Sequence, residues 1–487
     1  MKRALAVVLL GTLALGLAAC GDSSSPTDEA QVTGTGGDCP LVQLAAADAP
    51  VEVTVWHSLI AESEAALQDI VDGYNASQST VQVVLESKGE SYAEVQQAYD
   101  DAVAADDPAA LPAIVLLEED QTRAMADAGG VVPASACIAE GGDHPDWLLS
   151  AESYFTIDGT TWPSAFNLSV PILYFNRSHF EDAGLDPTTP PQTLDELRAA
   201  AEAIQDAGVP GVDAPLILIL QSWFVETWLT GIEQTVVDAD NGRSGTPTEA
   251  TLDTPEALEL FTWIDQMEED GLLLPVPATD GQLDQYLAMA DESGSMLIET
   301  STAATSVEAF LQGELDPSQI SDDRVVVEGL DDLDLGLDVS VAPLPGIELP
   351  GRSQVGGGAY FLVDGEDAQV AAGWDFLEHL NTVPAQVEMN LQGSYLPSLR
   401  GVAGEPELAE VWTSTLSGRW LSTAYTQLTD GVLPDFPGPS IGPYDEFRAA
   451  VSTALDAMVI DDSLTPEQAL AQAQEQVTEA LVDHGSG

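Results

Sequence analysis

Positive charge is almost missing from this 487-residue chain: 12 Lys and Arg stand against 82 Asp and Glu, a formal net charge of −70. Binding a phosphate backbone needs clustered cations, so nucleic acid is excluded as a general partner. Histidine is also sparse. His57, His144, His179, His379 and His484 are scattered without metal-ligand spacing, so no metal site is expected. Beyond residue 19 no apolar run is long enough to span a bilayer, and no segment repeats at a fixed period. The glycine run Gly356–Gly358 lacks the Lys-Ser/Thr of a phosphate loop, and no cofactor is implied. The chain is nevertheless 45% hydrophobic with nine Trp, which excludes a disordered acidic tail and suffices for two domains. The acids therefore belong to a solvated surface, since carboxylates are rarely buried unpaired. Such a surface repels itself at low ionic strength and is screened at high salt, which points to a halophilic or haloalkaliphilic source.

Cysteine occurs three times. Lys2 and Arg3 precede an apolar run from Ala4 to Ala19 that ends in Leu17-Ala18-Ala19-Cys20, the layout of an export signal. A Cys at the cut resembles a bacterial lipobox, which implies a signal peptide at 1–19 and acylation of Cys20. Two or more acyl chains, at about 0.8 kcal/mol per buried methylene, would hold the protein on the outer face of the cell membrane. Residues 20–47, small, polar and glycine-rich, read as a flexible tether. In an exported protein Cys39 and Cys137 are expected to pair, stapling the start of the folded domain to a loop around 134–140. Closing so long a loop stabilises by about 4–5 kcal/mol in the chain-entropy model.

The folded part opens with a strand, VEVTVWHS, then alternates helix, strand, helix and strand to AIVLLEED at 113–120. That alternation predicts an α/β fold with a parallel sheet, whose carboxyl ends hold Trp56, His57, Tyr92, Glu118 and Glu119. Glu118 reads as solvated, and Trp56 and His57 serve equally well as core and cap. The stretch from Asn167 to Arg177, NLSVPILYFNR, is too continuously apolar to be half exposed, and Pro171 places a bend or crossing near its start. Further strands are expected at APLILIL, SMLIETS, LDVSVAPLPG and GGGAYFLV, and two helices at 444–483.

The order of short motifs VWHS, KGESY, PAIVLLEE, NLSVPILYFNR, SWFVETW, SMLIETS, GGGA and GSYLPS resembles family-1 extracellular solute-binding proteins of ABC importers, most of all the glycerol-3-phosphate-binding type. The resemblance implies a two-lobe periplasmic-binding-protein-like fold with discontinuous lobes, 48–165 with 303–360 and 166–302 with 361–485, and a ligand cleft between them. It also implies a monomer that captures a carbohydrate, polyol or glycerol-phosphate-type solute and delivers it to membrane permease subunits. The matching ligand positions are Tyr92, Glu119, Ser169, Trp223, Trp228, Ser301, Gly357, Gly358 and Tyr395, with Ser440 at the place where the glycerol-phosphate binders carry an Arg. Without that Arg a phosphate loses its charge-assisted clamp, and neither Arg400 nor Arg448 matches the motif. The ligand therefore shifts toward a neutral carbohydrate or polyol, or a phosphodiester. A competing reading takes Gly438-Pro439-Ser440-Ile441-Gly442 as the G-x-S-x-G of an extracellular hydrolase. Against it, the preceding PDFPGP cannot be a buried strand, and the one downstream histidine, His484, lies in the terminal tail.

Overall fold

The computed structural model describes residues 38–47, 49–105, 108–279, 284–311 and 337–485; the expected signal peptide, Cys20 and most of the tether lie outside them. In chain order the strands are β1 (Val51–His57), β2 (Val81–Ser87), β3 (Ile114–Glu118), β4 (Val131–Val132), β5 (Thr156–Ile157), β6 (Thr160–Thr161) and β7 (Ser164–Ser169). They continue with β8 (Pro171–Asn176), β9 (Leu216–Leu220), β10 (Leu273–Pro277), β11 (Met296–Thr300), β12 (Val339–Pro343) and β13 (Gly356–Val363). Two large sheets result. One has the order β2-β1-β3-β13-β4, with β7 also on β13; the other has the order β10-β9-β11-β8-β12.

The first sheet begins as the alternation predicts. β1 runs parallel to β2 and β3, and the helix Ala61–Ser77 between β1 and β2 buries Ala66, Leu67, Ile70, Val71 and Tyr74 on one face. The helix Tyr92–Ala104 is started by a capping box in which Ser91 and Glu94 satisfy each other's backbone N–H. β13 and β7 then join antiparallel, from far along the chain.

The apolar stretch Asn167–Arg177 spans two strands. β7 ends at Ser169 in the first sheet, and β8 starts at Pro171 between β11 and β12 of the second, every residue from 164 to 176 being buried. At the crossing, Val170 N–H donates to Ser301 Oγ (3.3 Å), while Ser301 N–H donates back to the Val170 carbonyl (2.9 Å). Pro171 begins β8, where its missing N–H costs least, and its carbonyl accepts from Gln427 Nε2 at 2.7 Å.

Sheet membership departs from the expected division of the chain. Segment 303–360 gives β12 to the second sheet before β13 returns to the first. The helices Asp367–Leu380 and Val383–Gly393, expected with the second lobe, pack on β1 and on the helix Ala61–Ser77 of the first. The reason is physical: sheet partners and helix packing are set by contacts far along the chain, which an element's own residues do not name. Cys39 and Cys137 form the expected disulfide, although Cys137 sits in a short helix, Ala134–Ala139, instead of a loop. No described helix is long and apolar enough to cross a membrane.

Candidate functional site

A cavity of about 240 Å³ opens where the two sheets meet, lined by Tyr92, Glu118, Glu119, Ser169, Gln221, Trp223, Glu299, Thr300, Thr302, Gly357 and Tyr395. Most of these sit at strand ends. Glu118 closes β3, Ser169 closes β7, Gln221 follows β9, and Glu299 and Thr300 close β11. Strand ends are where backbone groups leave the ladder and side chains converge on a ligand.

β13 brings the walls together. A Cβ on Gly356 would lie 2.3 Å from Trp223 Cζ2, and one on Gly357, whose φ is +104°, would lie 1.9 Å from the Asn167 carbonyl. Only glycine allows the aromatic wall and the crossing strand to come so close. Gly358 lies beneath the cavity, where a Cβ would meet Tyr92 Oη at 2.7 Å. The hydroxyls of Tyr92 and Tyr395 are 3.1 Å apart, and burial pushes both phenols above their usual range, so they stay protonated. The Trp223 indole N–H has no hydrogen-bond partner.

The electrostatics centre on Arg448, from the helix Tyr444–Val459. Its Nη1 meets Glu118 Oε1 at 2.8 Å and Asp120 Oδ2 at 2.7 Å, Nη2 meets Glu119 Oε1 at 3.0 Å, and Nε meets Glu226 Oε1 at 3.3 Å. Glu226 is further held by Ser222, Gln354 and Tyr444. Burial outweighs the guanidinium at Glu119 and pushes its carboxyl up to about 8; Glu118 and Asp120 are raised for the same first reason. Glu118, expected in solvent, is thus a cavity and ion-pair residue. Glu299, 5% exposed, accepts from Thr300 N–H at 2.7 Å and from Gln285 Nε2 at 3.3 Å, and burial raises it to about 6.

Six of the expected ligand positions, Tyr92, Glu119, Ser169, Trp223, Gly357 and Tyr395, share this cavity. The others are placed elsewhere. Trp228 is buried in the core and donates its indole N–H to the Pro345 carbonyl at 2.9 Å. Ser301 is buried and fastens the crossing. Ser440 is buried away from the cavity, its N–H on the Asn241 carbonyl (2.9 Å) and its Oγ without a partner. Trp56 and His57 also lie outside it, Trp56 donating to Glu86. Arg400 pairs with Asp146 at the surface. Gln221, Glu299, Thr300 and Thr302 were missed; the carboxyl-end rule applied to β9 and β11 would have found the first three. The described residues include no cluster of His, Cys, Asp and Glu able to hold a metal ion.

The hydrolase reading of Ser440 does not hold. His484 ends the last helix, with Nε2 facing Asp127 Oδ2 at 3.5 Å and packed where a Cβ on Gly442 would be, and no hydrogen bond joins it to Ser440 Oγ. A triad needs that base within reach of the nucleophile.

The bacterial extracellular solute-binding protein family model matches residues 69–415. The sn-glycerol-3-phosphate-binding periplasmic protein of Rhizobium meliloti is 30% identical over 238 residues, 46% of this chain, and the chain spans about half of that relative's length, 52%. Its counterpart in Yersinia pseudotuberculosis is 24% identical over 87% of this chain and 90% of its own. In fold, the cyclic alpha-maltosyl-1,6-maltose binding protein from Arthrobacter globiformis superposes with a TM-score of 0.68 at 22% identity, covering 89% of this chain and all of its own.

Proposed function

Because the chain belongs to the bacterial extracellular solute-binding protein family, we propose that it is the lipid-anchored receptor of an ABC importer. It captures a small carbohydrate, polyol or glycerophosphodiester and passes it to membrane permease subunits. The observation that carries this reading is the cavity at the meeting of two sheets, with Trp223, Tyr92 and Tyr395 beside hydroxyl and carboxylate groups. Aromatic faces stack on the C–H faces of sugars and polyols, while Ser169, Thr300, Thr302 and Glu119 exchange hydrogen bonds with hydroxyls. The two sheets with their helices are the two lobes, β7–β8 is a hinge crossing, and closure encloses the solute. Ser301 acts behind the cavity wall by fastening the crossing next to Ser169, and Gly358 does so by letting Tyr92 pack close. Acylated Cys20 tethers this monomer to the outer face of the membrane.

The test is a thermal-shift screen in molar salt with sugars, polyols, glycerol-3-phosphate and glycerophosphodiesters. A true ligand at 100 times its Kd stabilises by about 2.7 kcal/mol and is recovered unchanged. Chemical conversion of the ligand, or no shift with any solute, would sink the receptor reading. Mass spectrometry of the N-terminal peptide from membranes tests the anchor, and an unmodified Cys20 would remove it.

A further inference from the structure

We propose that the cleft selects its solute by charge: it takes a polyhydroxylated ligand that carries a protonated amine, with Glu119 as the amine's carboxylate, and it disfavours phosphate monoesters. This rests on the receptor reading above and narrows it. Three carboxyl groups, of Glu118, Glu119 and Glu299, line the cavity, and among the described residues that line it none is Lys, Arg or His. The cation behind the wall, Arg448, is fully engaged: Nε, Nη1 and Nη2 all face carboxylates, four of them in all, from Glu118, Glu119, Asp120 and Glu226. One guanidinium shared among four carboxyl groups has no nitrogen left free for a further anion. A phosphate dianion would find no free guanidinium to clamp it.

A second observation is independent of that count. Glu119 is 1% exposed, lines the cavity, and has an oxygen, Oε2, without a hydrogen-bond partner. A buried carboxyl oxygen lacking a donor is costly, and a ligand that reaches this wall as the cleft closes is the group able to supply one. A hydroxyl brings a donor but no charge. An ammonium brings three donors and a positive charge, and the faces of Trp223, Tyr92 and Tyr395 favour a cation beside them. Burial holds a proton on the Glu119 carboxyl in the empty cleft. A ligand cation takes over that proton's charge-balancing role and restores the carboxylate.

Titration calorimetry on the intact protein with matched probes tests this. The pairs are D-glucosamine with D-glucose, and 2-amino-1,3-propanediol with glycerol; glycerol-3-phosphate is the anion. In at least one pair the amine should bind tenfold or more tightly than its hydroxyl counterpart, and glycerol-3-phosphate should bind least. Glu119→Gln should bring the amine-to-hydroxyl ratio toward one. If that variant does not fold, the wild-type ratios alone decide. Equal or tighter binding of the hydroxyl members, or a melting shift given only by uncharged oligosaccharides or glycerol-3-phosphate, overturns charge selection and leaves the receptor reading standing. Silence of every solute overturns both.

Discussion

The first and last turns of the helix Ser222–Gly231 each carry a tryptophan, and the structure uses them oppositely. Trp223 is partly exposed, rests against Gly356, and lines the cavity with its indole N–H unpaired. Trp228 is 1% exposed, packs against Phe224 and Trp263, and donates its N–H to the Pro345 carbonyl. Five residues along a helix is more than one turn, so the two side chains leave on different faces. An aromatic with its polar atom satisfied inside the core holds structure, whereas one at a cavity wall with an unmet N–H is less completely tied into the fold.

Three measurements would break or sharpen that contrast. Trp228→Ala should cost the most stability, about 3–5 kcal/mol, because it opens a cavity among packed rings and strands the Pro345 carbonyl. Urea denaturation reads this directly, and a loss below about 1 kcal/mol would place Trp228 outside the structural core. Glu299 comes next, as a cavity-lining group whose oxygens, unlike the Trp223 N–H, are partnered. Its folded carboxyl is raised from 4.5 to about 6. The folded protein therefore keeps a proton that the unfolded chain releases. The associated stability is present below about pH 4.5 and is lost as pH rises to about 6, amounting to roughly 2 kcal/mol. Glu299→Gln should flatten that part of the pH–stability curve; parallel curves for the two proteins would refute the assignment. Trp223→Ala should change stability least, by about 1 kcal/mol or less, while weakening solute binding tenfold or more. Calorimetry showing unaltered affinity would end its stacking role.

Much of the fold was legible because it is local. The strand–helix alternation from β1 to β3, the apolar face of Ala61–Ser77 and the continuous burial of NLSVPILYFNR each follow from neighbouring residues. The motif order brought six cavity residues within reach. Glu118 keeps 40% of its side chain exposed, as expected, but its pairing with Arg448, 330 positions away, was not legible, because an acid at a strand end looks alike with or without a distant partner. Four further cavity residues, Gln221, Glu299, Thr300 and Thr302, are polar groups at or just past strand ends; the first three follow from the carboxyl-end rule once β9 and β11 are placed, while nothing local separates Thr302 from an ordinary turn.

By itself the sequence determined the elements, the Cys39–Cys137 pairing and the place where the chain crosses from one sheet to the other, since each depends on local pattern or on the few residues able to pair. Tertiary structure alone decided that β12 joins the second sheet and β13 the first, that Trp223 faces the cleft while Trp228 faces the core, and that the guanidinium of Arg448 is committed to four carboxylates. Those outcomes depend on contacts between residues far apart in the chain, and the geometry of such contacts, more than residue type, sets which polar groups are satisfied and which remain for a ligand.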